Sequence, residues 1–134
     1  MNIGIYGTFG EKQAQNYLKK RGYKILATNY VGGAGEIDII ALEAIKARKT
    51  RPDYNNMSET MKAEDYVVFV EVKARNNTSY GTPSDYVDHK KQEHYNSVSL
   101  EFFERNPYYK RLPYRFDIIE VVGKEVVNHY INAF

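Results

Sequence analysis

Two short segments of this chain set charged side chains inside apolar strands. Tyr66-Val67-Val68-Phe69-Val70-Glu71-Val72-Lys73 is a near-continuous apolar run, suited to a central buried strand, that ends on a carboxylate and an ammonium. Strand side chains alternate faces, so Val67, Phe69, Glu71 and Lys73 share one face, while Val68, Val70 and Val72 share the other. In the second segment, Gly35–Ala41, Asp38 lies between Ile37 and Ile39, on the face of Glu36 and Ile40. A charge in such a place is costly unless it is paired or bound to a metal. Three readings stay open on the residues alone: a divalent metal site, a buried salt bridge of Asp38 or Glu71 with Lys73, or plain exposure at the strand ends. Buried pairs seldom add net stability, because desolvation cancels much of the attraction. Two acids sharing one base would also leave spare negative charge, which Mg²⁺, a cation that prefers hard oxygen ligands, would neutralise.

The elements that must position these residues are legible from periodicity and punctuation. Thr8-Phe9-Gly10-Glu11 has the form of a capping box, with Ala14, Tyr17 and Leu18 at helical spacing and Gly22 where a C-terminal cap belongs. Tyr23–Tyr30 predicts a first strand ended by Gly32-Gly33, and Gly35–Ala41 a second. From Leu42 to Asp65 the pattern fails: five basic and five acidic residues mix with Pro52, Asn55-Asn56 and Ser58. This stretch is expected to be an insertion, with a helical start at Ala41–Lys49, that is either poorly ordered or extends the hairpin away from the site. Pro83 opens a long helix to about Arg105, stopped by Asn106-Pro107. Arg115–Val122 and Glu125–Ile131 then predict a hairpin about Gly123-Lys124. The order gives one α/β domain over residues 1–134, a mixed central sheet flanked by helices.

Within the long helix, Val87, Lys91, Tyr95, Val98 and Phe102 form one stripe, so Lys91 faces the sheet, where it either snorkels past the core or reaches the acids. Lys90 is turned about 100° toward solvent. Glu11 is either a helix cap or a group of the acid cluster. Arg75 either touches a phosphate or pairs with an acid such as Asp117, which reads as structural. His89 and His94 are five apart, off the spacing of two metal ligands on one helical face, and with His129 they read as surface or partly packed residues.

Composition sets the outer bounds. An apolar share of 43% and a charged share of 27% are those of an ordinary globular domain. No run approaches the ~20 apolar residues of a membrane span, and no secretory leader is visible. With no cysteine, disulfides, thiolate zinc sites and cysteine nucleophiles are excluded. A cytoplasmic location is expected. A net charge of +2 does not announce a nucleic-acid binder, although residues 1–24 carry five basic side chains against one acid.

Gly10-Glu11, Gly35-Glu36-Ile37-Asp38 and Phe69-Val70-Glu71-Val72-Lys73-Ala74-Arg75 resemble, in order and spacing, the motif blocks of the YraN family of small endonuclease-like proteins. The likeness continues through Tyr80-Gly81-Thr82-Pro83, Lys91-Gln92, Arg115-Phe116-Asp117 and Ile131-Asn132-Ala133-Phe134, and spares only Leu42–Asp65. That family is similar to archaeal Holliday-junction resolvases and to the PD-(D/E)xK nuclease superfamily. The resemblance implies a restriction-endonuclease-like core and a metal-dependent endonuclease cutting phosphodiester bonds in DNA, with branched or single-stranded intermediates among its substrates, leaving a 5′-phosphate. RNA is the other nucleic acid it allows, and a homodimer is its implied assembly. It implies Mg²⁺ or Mn²⁺ held by Asp38, Glu71 and the Val72 carbonyl, and Lys73 orienting the attacking water or neutralising the phosphate. It also places Glu11 beside the metal, Lys91 in the site, Arg75 toward nucleic acid, and Gln92 either supporting the site or contacting DNA. Two features depart from the pattern: Ile37-Asp38 stands for Pro-Asp, and Asp38 and Glu71 are 33 positions apart, well beyond the family's short hairpin. A catalytically silent nucleic-acid-binding module on the same fold is the competing function, and a core ion-pair cluster serving a protein partner is the third.

Overall fold

The apolar strands predicted by the sequence assemble into one sheet of order β1-β2-β3-β4-β5 in a computed structural model that describes residues 3–44, 65–75 and 89–134. Helix α1 (Ile3–Lys20) leads into β1 (Lys24–Gly32), β2 (Gly35–Glu43) and β3 (Tyr66–Arg75). Helix α2 (His89–Arg105), a 3₁₀ turn (Pro107–Tyr109), β4 (Tyr114–Val122) and β5 (Glu125–Tyr130) follow. All neighbours pair antiparallel except β3 and β4, which run parallel, making the sheet mixed.

The helices cover opposite faces, as the alternation of the central strands requires. On one face Ala14 and Leu18 of α1 pack on Ile39, Ala41, Val68, Val70, Ile119 and Val121. On the other, Tyr95, Val98, Phe102 and Phe103 of α2 pack on Ile40, Val67, Phe69 and Phe116. Val67–Val70 are fully buried, which accounts for a strand apolar on both sides. Helix α1 ends as expected. Gly22 has φ 89°, and Gly22 and Tyr23 donate to the carbonyls of Lys19 and Leu18 at 3.0 Å each, closing the last turn.

Three expectations need correction. Helix α1 starts five residues before Thr8, so Thr8-Phe9-Gly10-Glu11 is not a capping box. A three-residue offset is one helical turn wherever it falls, and here it falls in the helix interior. Leu42 and Glu43 belong to β2 rather than to an insertion, and Ala41–Glu43 is strand, not the start of a helix. Glu43 resembles a loop charge in sequence, yet it is buried and Arg115 bonds it at 2.7 Å, so the strand continues through it. The rest of the expected insertion, residues 45–64, and the expected helical start at 83–88 lie outside the described residues. The strict alternation over Gly35–Ala41 also breaks at Asp38, because Ile37 packs in the same core as Ile40.

Candidate active site

The break at Asp38 marks the place where β2 and β3 part. Their ladder runs from Glu43–Tyr66 to Ile39–Val70 and stops there. The following rung would join Asp38 to Glu71. Instead Asp38 Oδ2 accepts the Val72 N–H at 2.8 Å, a carboxylate standing where a β2 carbonyl would have been. A strand residue's N–H and C=O point to the same edge, so the Val72 carbonyl faces the same gap.

The β1 side is irregular at the same level. The pairs Thr28–Ile39 and Tyr30–Ile37 flank an unpaired Asn29 and Asp38, and Asn29 has φ 51°. Asparagine tolerates that left-handed conformation better than most residues. Its side chain lies beside the Glu11 carboxylate and favours the ionised form. Glu11 reaches this level because α1 lies unusually close to β3: a methyl group added at Gly10 would sit 2.6 Å from the Ala74 Cβ.

Helix α2 closes the gap from the opposite face. Lys91, and not the exposed Lys90, reaches Glu71: Lys91 Nζ is 2.7 Å from Glu71 Oε2, and Lys73 Nζ is 2.8 Å from the same oxygen. One turn along, the buried Tyr95 hydroxyl lies near Glu71 as well. The geometry thus gathers Asp38, Glu71, Lys73, Lys91 and Glu11, five residues singled out by sequence, from four elements. It adds Asn29, Glu36 and Tyr95. The strand alternation puts Glu36 on the face of Asp38 but gives it no role. Tyr95 is signalled only by its helical spacing from Lys91. No local pattern marks Asn29.

Charge is distributed unevenly. Burial pushes the Glu71 carboxyl up, but the two ammonium groups outweigh it and hold Glu71 below its ordinary range. Asp38 moves the other way, to about 6: burial raises it, the Val72 N–H partly offsets this, and Glu11, Glu71 and Glu36 add repulsion. Glu11 is raised as well, by burial first and then by Glu36, against the Asn29 side chain. Burial lowers the Lys73 ammonium, but its hydrogen bond and attraction to Glu71 leave it raised overall. Tyr95 is held protonated by burial and by the nearby carboxylates.

This donor set suits a hard divalent cation. Three acids repel one another around a gap also faced by a backbone carbonyl, and the shortfall there is of positive charge. Among the described residues no three acidic or histidine side chains form a preassembled cage. Mg²⁺ does not require one, since it takes one or two carboxylates and completes its shell with water and phosphate oxygens.

Other residues lie elsewhere. Arg75, expected at a phosphate or Asp117, is instead engaged by the buried Glu120, with Nε 2.8 Å from Oε2 and a terminal guanidinium nitrogen on the same oxygen. Asn128 donates to the second oxygen of Glu120 at 2.9 Å. Gln92 is half-buried beside Lys91. His89 and His94 are exposed, whereas His129 is nearly buried, between Asp117 at 2.8 Å and Tyr17 at 3.1 Å. No helix among the described residues is long and apolar enough to cross a membrane.

Comparison with known proteins places the chain among relatives. Residues 10–121 match the model of an "Uncharacterised protein family UPF0102". A UPF0102 protein of Clostridioides difficile is 40% identical over 135 residues, covering 100% of both chains. Another, from Caldanaerobacter subterraneus subsp. tengcongensis, is 39% identical over 140 residues, covering 100% of this chain and 98% of its own. A third, from Alkaliphilus oremlandii, is 39% identical over 132 residues and 96% of each chain.

Proposed function

The chain belongs to the UPF0102 family, the YraN family, and from that starting point we propose that it is a metal-dependent endonuclease hydrolysing phosphodiester bonds in DNA. One observation carries this reading: the parting of β2 and β3 brings Asp38, the Glu71–Lys73 pair and the Val72 backbone to one gap, with Glu11 above it and Lys91 below. Acids and a lysine at the divergent ends of two adjacent strands support a PD-(D/E)xK reading of the mixed sheet.

Each residue then has a task. Asp38, Glu71 and the Val72 carbonyl would hold Mg²⁺ or Mn²⁺, with Glu11 beside them. A cation bound there supplies a water of lowered pKa and neutralises charge developing on the scissile phosphate. Lys73, protonated and fixed by Glu71, presents a point charge to the phosphate oxygens or orients the attacking water. Tyr95 holds the Glu71 carboxylate from behind and excludes water from that side of the sheet. Asn29 fixes the direction of Glu11. Gln92 borders the DNA path, and two copies of the chain would serve a branched substrate.

A second reading, a catalytically silent DNA-binding module, draws support from the two lysines that already neutralise Glu71. Cleavage assays on linear, nicked, single-stranded and four-way-junction DNA, with Mg²⁺, Mn²⁺ or EDTA, separate the two. Metal-dependent products ending in a 5′-phosphate are expected. Binding without cleavage of any substrate in either metal would overturn the enzymatic reading.

A further inference from the structure

The lysines at Glu71 outnumber what that acid needs, while its neighbours lack positive charge. Lys73 and Lys91 both approach Oε2, so one negative charge meets two positive ones. The same small region holds Asp38, which accepts the Val72 N–H, together with Glu11 and Glu36, so three further acids lie close by. A divalent cation drawn by those acids would compete with the lysines for Glu71.

The two lysines differ in how they reach it. Lys73 shares β3 with Glu71, two residues on and on the same face, so it stays beside the carboxylate whichever way that group turns. Lys91 comes from α2, a separate element, on a long stem whose side chain is 36% exposed. Its ammonium can leave Glu71 for solvent-side anions without any backbone change.

We propose that Lys91 is a displaceable counter-ion: it neutralises Glu71 in the metal-free protein and moves to a substrate phosphate when a divalent cation engages that carboxylate. The inference rests on the metal-dependent reading above and assigns this site a form of regulation. Metal and DNA should then bind cooperatively, because the cation releases the very charge that the DNA backbone uses.

Calorimetric titration of Mn²⁺ tests this on the full chain and two variants, Lys91→Met and Lys90→Met. Both substitutions remove one positive charge from neighbouring positions of α2, but only Lys91 contacts Glu71. Lys91→Met should bind Mn²⁺ roughly tenfold more tightly than wild type, equivalent to about 1.4 kcal/mol. Lys90→Met should change the affinity by no more than about twofold, as a screened surface charge does. Equal affinities for the two variants would overturn the role of Lys91 while leaving the metal site standing. No Mn²⁺ binding by any of the three would overturn the metal reading and the counter-ion together.

DNA binding in Ca²⁺, measured with a four-way junction, gives the second readout. Ca²⁺ should strengthen binding by the wild type and not by Lys91→Met, and an equal gain in both would overturn the transfer to phosphate. Lys91→Gln replaces the Met variant if melting shows that Met disturbs α2.

Discussion

Two polar clusters, one buried about Asp117 and one half-buried about Asp38, manage charge in opposite ways. Around Asp117, every strong group has a fixed partner. Arg115 donates to Asp117 at 3.0 Å, to Glu43 at 2.7 Å and to the Tyr23 hydroxyl at 3.0 Å. Asp117 also takes His129 at 2.8 Å and the Asn132 N–H at 2.9 Å, and Tyr23 in turn donates to Glu43 at 3.2 Å. Burial raises the Asp117 carboxyl, but these donors hold it below its ordinary value. Around Asp38 the charges are segregated instead. Two ammonium groups crowd onto Glu71, while Asp38 has one backbone N–H and three acidic neighbours. A network that only holds strands together gains from full mutual satisfaction. A cluster left with uncompensated like charge is a candidate for binding something absent from the chain.

The largest effect that would sharpen this contrast is catalytic. Asp38→Asn and Glu71→Gln should each reduce cleavage roughly a thousandfold or more, about 4 kcal/mol of barrier. In EDTA, Asp38→Asn should melt at or above the wild-type temperature, because it removes a source of repulsion, whereas Glu71→Gln should melt below it, because Lys73 and Lys91 lose their shared partner. A fall in melting temperature with cleavage retained would break the comparison and make both clusters scaffold.

Next in size is the converse substitution. Arg115→Met leaves Glu43 and Asp117 buried without their common partner and should cost about 3–5 kcal/mol of stability, measured by denaturant unfolding. Its residual folded fraction should bind Mn²⁺ normally. Unchanged stability would show that the Asp117 network is not what ties β2, β4 and β5 to α1.

A smaller effect concerns the close approach of α1 to β3. Gly10→Ala places a methyl 2.6 Å from the Ala74 Cβ, so the helix must shift, at about 1–3 kcal/mol. Because Glu11 is the next residue, Mn²⁺ affinity should fall with it. Stability lost without any change in metal affinity would detach Glu11 from the site.

Much of this contrast was legible in the sequence, and the rest was hidden for identifiable reasons. The alternation in Val67–Lys73 and the spacing of Lys91 from Tyr95 and Phe102 are local rules, so they placed Glu71, Lys73 and Lys91 on facing surfaces. The parting of β2 from β3 is not local. It depends on a carboxylate replacing a carbonyl across the ladder and on Asn29 turning left-handed opposite it, neither of which leaves a periodic trace. Arg75 illustrates the same limit: its type and position suit a phosphate, but its partner Glu120 comes from a strand 45 residues later. Glu43 resembles a loop charge in sequence because its partner Arg115 is 72 residues away. Charged residues in strands are interpretable only once their partners are known.

The finest test uses the opposite directions in which the two aspartates titrate. Asp38 rises from 3.8 in the unfolded chain to about 6 when folded, so below about 4 both states carry its proton and no penalty exists. As pH rises from about 4 to about 6 the unfolded chain ionises first, and this group's contribution to stability is progressively lost. Asp117 is lowered, so its contribution is intact above 3.8 and is lost as pH falls below that value. Melting temperatures in EDTA between pH 3 and 7 should therefore show Asp38→Asn diverging upward from wild type between about pH 4 and 6. Asp117→Asn should diverge downward above about pH 4, with the gap narrowing in more acid buffer. Added Mn²⁺ should reverse the slope attributable to Asp38 alone, because the cation binds the ionised carboxylate and stabilises whatever holds it. Parallel curves for wild type and Asp38→Asn would mean that Asp38 is as well satisfied as Asp117, and the distinction between the two clusters would collapse.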